Sequence, residues 1–114
     1  MLLESGNKIL VAHRRLFEGD PTRFFVGEVL AYDAGIVKAR GYSFVRDITS
    51  SKLLRKADPR TKLLSVSSGS FLVYQLPDEV DVSRGEIVWT DDALLFREGQ
   101  TEMNLAELPR HGQI

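Results

Sequence analysis

Short segments rich in Val, Ile, Phe and Tyr recur about every ten residues along this chain, with Gly, Asp, Ser and Pro between them. A chain cut this finely has no room for long helices. Its spacing predicts an all-β fold, either a small antiparallel barrel or a compact two-sheet fold of seven to eight short strands. Antiparallel pairing is expected because a parallel pair needs a crossover of a dozen or more residues, and the short connections do not supply one.

The strands read as KILVAHRRLF (8–17, where helical spacing competes), RFFVGEVLAY, IVKARGYSF, LLSVSS, FLVYQL, EIVWT, ALLF and EMNLAE. The DAG between the second and third suits a three-residue hairpin loop with Gly35 in the left-handed position. VSSGS, 66–70, reads as the corner of a hairpin joining two central strands. It is followed by the β-type run FLVY with no lysine, so the Gly/Ser content is turn chemistry and not a phosphate loop. The small residues Gly27, Ala31, Ala39 and Gly41 fall inside strands, where a missing side chain permits sharp coiling. The expected core includes Phe25, Val29, Val66, Leu72, Tyr74, Val88 and Leu95, and Trp89 serves as core or as an interface anchor.

One segment breaks the rhythm. From Arg46 to Lys62 the chain is basic and hydroxyl-rich, and it is expected to form a long loop, with room for one helical turn at SSKLLRK, 50–56. Residues 1–108 are expected to form one β domain and 109–114 a flexible tail. Apolar residues at 43% and charged residues at 27% are ordinary for a soluble domain. The absence of cysteine removes thiol catalysis and thiolate metal sites and fits a reducing cytoplasm, and MLLESGNK is a poor signal sequence.

Candidate chemistry is sparse. Of the two histidines, His111 falls in the tail and His13 reads as a surface histidine on an edge strand, beside two arginines that disfavour its protonated form. No spacing resembles a metal loop, so neither an enzyme nor a cofactor or metal site is expected. Charge is uneven: through Lys62, 12 Lys and Arg stand against 7 Asp and Glu, and from Leu63 onward 3 stand against 9. The expected role is therefore a binding or assembly module that contacts another protein or a second copy of itself.

The contact surface is expected at Arg46, Lys52, Arg55, Lys56, Arg60 and Lys62, with Lys38, Arg40, Tyr42 and Phe44 on the adjacent wet face. The same cations, adjoined by Arg14, Arg15, Arg23 and Arg40 and with Phe24, Tyr42 and Phe44 for stacking, define the alternative, single-stranded nucleic acid binding, although a pI of about 6.1 is low for that class. GEVLAYD, Gly27 to Asp33, resembles the first signature segment of Sm-like RNA-binding barrels. The pattern departs after these seven residues, and no site residue carries over.

Overall fold

The computed structural model describes residues 3–13, 23–46, 53–90 and 93–105. These form nine strands and no helix: β1 (Lys8–His13), β2 (Arg23–Asp33), β3 (Ile36–Arg46), β4 (Leu53–Arg55), β5 (Arg60–Ser65), β6 (Phe71–Leu76), β7 (Glu86–Thr90), β8 (Ala93–Glu98) and β9 (Thr101–Asn104). All pairing is antiparallel. A six-stranded sheet runs β4-β3-β2-β1-β6, with β5 also on β3, and a three-stranded sheet runs β7-β8-β9. Of the two expected architectures the two-sheet fold is the one observed, since β5 and β6 do not pair and the large sheet stays open.

The basic segment accounts for the ninth strand, and here the expectation of a loop is corrected. β4 pairs with Phe44 to Arg46 and β5 with Ile36 to Gly41, both along the same side of β3. The two are one edge strand, interrupted where Ala57 to Pro59 takes up two extra residues between the registers. Its strand character was hidden because an edge strand tolerates cations on both faces, so the apolar alternation that marks a strand is absent. No helical turn forms at Leu53–Arg55, which is strand; residues 50–52 and 14–17 lie outside the described residues, as do the tail 109–114 and the Trp89 side chain.

Each face of the large sheet carries its own core. On one, Leu10, Phe24, Val26, Phe44, Leu53 and Leu76 pack against Ile87, Leu94 and Phe96 of the small sheet, with Val80 from the connection between them. On the other, Ile9, Val11, Phe25, Val29, Val37, Ala39 and Leu64 are buried with no second sheet above them among the described residues, and Phe71, Val73 and Val66 pack against them. A flat sheet cannot bury its own face in this way. It has curled so that its two edges, β5 and β6, close over a shared interior.

Two features produce the curl. Gly27 and Gly41 stand directly opposite one another, and the register between β2 and β3 shifts at Val29/Ala31, a β-bulge. The β2–β3 hairpin turns on Ala34 and Gly35 alone, both at positive φ (50° and 81°), which is the two-residue geometry that matches strand twist and not the three-residue loop expected. The corner at 66–70 is also corrected. It links the two edges of the curled sheet, not a hairpin of central strands, and it is tied by Val66 N–H to Gly35 O at 2.9 Å and by Ser68 Oγ to Ser65 O at 3.1 Å. Of the expected core, Phe25 and Val29 are buried, whereas Leu72 is exposed, Val66, Tyr74, Val88 and Leu95 are half-buried, and Ile87, Leu94 and Phe96 hold the inward positions of β7 and β8.

Candidate functional site: a cationic mouth on the curled sheet

Inside the curl, each strand's inward series is apolar until it reaches one end. On β1 the series is Ile9, Val11, His13; on β2, read backwards, it is Val29, Gly27, Phe25, Arg23; on β5, also backwards, it is Leu64, Lys62, Arg60. Antiparallel pairing brings these termini together, so the interior opens into a cleft of about 550 Å³ whose lining includes His13, Arg23, Ser43, Arg46, Lys56, Arg60 and Lys62. Among the described residues the lining contains no carboxylate.

The electrostatics follow from that crowding. Burial first, then the Arg60 and Arg23 guanidiniums, hold the Lys62 ammonium below its ordinary value of 10.5. Its charge is carried over the Phe25 ring, with Nζ 4.9 Å from the centroid. Burial, then Arg23 and Lys62, likewise lower the His13 pKa from 6.5, and its imidazole meets Phe71 edge-on at 4.7 Å. His13 is not on an edge strand, because β1 lies between β2 and β6. The unfolded chain therefore binds a proton at His13 more readily than the fold does, so stability falls as pH is lowered through 6.5. The thermal midpoint is expected to drop between about pH 7.5 and pH 5.5, and His13→Gln should flatten that slope. An unchanged slope in the variant would show that the histidine does not face these cations. Asp81, held low by hydrogen bonds from the Ser83 hydroxyl and N–H, titrates in the separate acid range below 3.8.

The expected site residues do not form one surface. Arg46, Lys56, Arg60 and Lys62 converge on the mouth. Arg40 and Tyr42 lie on the other face of β3, beside a smaller cleft of about 280 Å³ formed with Glu28, Leu30 and the Val82–Ser83 segment; Arg40 Nη1 donates to Thr61 Oγ1 at 3.4 Å, and Lys38 is exposed on the same face. Arg55 is occupied structurally, its guanidinium 5.2 Å from the Tyr42 ring centre and donating to the Ser83 carbonyl.

Phe44 borders the mouth, but it offers little surface there: it is 1% exposed, within the core shared by the two sheets. Lys52 lies outside the described residues, as do Arg14, Arg15 and His111. Arg23, expected only to adjoin the basic surface in the nucleic acid alternative, joins the mouth, and so does His13, which is not among the expected contact residues. The available signal was a cation continuing the buried parity of a strand, after Phe25 on β2 and after Val11 on β1.

No protein-family model matches the chain, and neither does any curated protein or solved structure with which it was compared. Among the described residues no three His, Cys, Asp or Glu side chains group as a metal site, and no helix is long and apolar enough to cross a membrane.

Proposed function

We propose that this domain is a non-enzymatic protein-binding module and that the cationic mouth takes an anionic segment of its partner. The observation that carries the reading is the convergence of Arg23, Arg60 and Lys62 around a concave opening with no carboxylate among the described lining residues. Like charges held together raise the free energy of the empty fold, and an incoming anion relieves that repulsion while it gains charge-assisted hydrogen bonds. A concave site of several hundred Å³ is of the size that holds a ligand group.

Single-stranded nucleic acid would use the same cations but would also need open aromatic faces. Of the expected stacking residues, Phe24 and Phe44 are 8% and 1% exposed and the half-buried Tyr42 ring carries Arg55, while Lys62 covers Phe25 in the mouth, which favours a protein anion. Self-assembly has one observation of its own: Leu63 is 71% exposed on the outer face of β5, paired with Lys38 and beside Ile36.

The test is a titration with a fluorescent deca-glutamate peptide and a deca-thymidine oligonucleotide at low and at physiological salt. Salt-sensitive peptide binding is expected, and Lys62→Met and Arg60→Gln should each weaken it about three- to fivefold. Lys62→Met should leave the thermal midpoint unchanged or higher, because it removes a repelled charge and keeps the apolar stem. Peptide binding that is absent at low salt overturns the proposal, and tighter binding of the oligonucleotide replaces it with the nucleic acid reading.

A further inference from the structure

The side of β5 facing away from β3 has no strand partner among the described residues, which leaves a row of backbone N–H and C=O groups available for pairing. Along that edge the side chains alternate. Arg60 and Lys62 face the cationic mouth, whereas Thr61 and Leu63 face outward, and Leu63 is the most exposed of the large apolar residues described. Resting on the anion-binding reading above, we propose that the partner segment binds as an added β-strand along the free edge of β5, with acidic side chains at alternate positions facing Arg60 and Lys62 and apolar ones between them covering Leu63.

Three arguments fix this chemistry. Successive same-face side chains on β5 repeat at about 6.6 Å, and an added strand presents its own alternate side chains with the same repeat, so two carboxylates meet two cations in register. An apolar residue opposite Lys62 would desolvate the ammonium without a partner, so the edge rejects the apolar strands that cause indiscriminate aggregation and accepts an acidic one. The outer face supplies the other half of the pattern, since Leu63 gains burial only from an apolar neighbour.

The chain's own acid–valine alternation, Glu79 to Val82, does not fill this role from a folded second copy. Val80 is 1% exposed and fixed in the core between the sheets, and Val80 N–H bonds to Pro77 O in a turn. That segment is therefore not the occupant, and the proposed occupant is an extended acidic segment of a different protein.

The experiment compares three capped eight-residue peptides by fluorescence anisotropy with the full chain. The first alternates Glu and Val, the second has the same composition as a Glu block followed by a Val block, and the third alternates but is N-methylated at every second peptide nitrogen on the side that meets β5. The alternating peptide is expected to bind about tenfold or more tighter than either control, because two or more main-chain hydrogen bonds depend on its strand form. Amide exchange on β5 should slow when it binds. Leu63→Ser, a surface change, should weaken the alternating peptide several-fold and leave the blocked one unaffected. Equal binding of the alternating and blocked peptides overturns strand addition while leaving the anion-binding mouth intact, and no binding of any acidic peptide overturns both.

Discussion

Gly41→Ala is expected to abolish cooperative folding, or to lower the thermal midpoint more than any other single methyl group added to the described strands. A Cβ at Gly41 would run into the carbonyl oxygen of Val26 and the Cα of Gly27 on the paired strand. Those are backbone atoms and cannot swing aside as a side chain does. The β2–β3 ladder would have to part where the large sheet coils, and the coil is what lets Val29, Val37, Ala39 and Leu64 bury one another. Overpacking of this kind costs about 3 kcal/mol or more, a large share of the roughly 5–15 kcal/mol that holds a small domain together.

Gly27→Ala offers an internal comparison. Its Cβ would lie 2.8 Å from both the Arg40 carbonyl oxygen and Phe25 Cε2, a less severe approach to the paired backbone than the one at Gly41. It should be destabilising but less so. Circular dichroism with urea titration reads both variants, and a Gly41→Ala midpoint close to the parent's would mean that the two strands do not approach as described.

The architecture was legible in the sequence because turn residues at short intervals leave only antiparallel strands, and because Gly27 and Gly41 announced a coil. Strand phase was less legible. ALLF and EIVW carry apolar residues on both parities, so only the opposing sheet decides that Leu94 and Phe96 turn inward and Leu95 less so. The candidate site was half visible. Its cations were identified as a loop, but their convergence depends on three strands whose inward series all end in a cation at the same mouth, which is a property of pairing and not of any one segment. For that reason Arg23 stands in the sequence only as a neighbour of the basic surface, and His13 not as part of it at all. The 66–70 corner was read correctly as turn chemistry and misplaced in topology, since nothing local distinguishes a hairpin turn from a link between two open edges.

Phe44→Ala is expected to cost about 3–5 kcal/mol of stability, with a smaller loss of acidic-peptide affinity in the folded fraction than Lys62→Met causes, because Phe44 borders the mouth but is 1% exposed. By alternation on β3, Phe44 shares a face with Lys38, Arg40 and Tyr42, and the wet character of Lys38 and Arg40 suggested that the whole face was open. That face is divided. Around Lys38 and Arg40 it meets solvent, whereas Phe44 packs with Phe96, Leu94 and Ile87 beneath the small sheet.

Parity along a strand tells which residues share a side; what covers that side changes along an 11-residue strand. Removing the ring leaves a cavity between two sheets, each held by its own hydrogen-bond ladder, and neither can collapse readily to fill it. Tyr42→Phe, which keeps the ring under Arg55, should change stability by less than about 1 kcal/mol. Urea midpoints of the two variants, read beside deca-glutamate binding, separate a core residue from a contact residue. A Phe44→Ala protein of unchanged stability and weakened binding would return Phe44 to the surface.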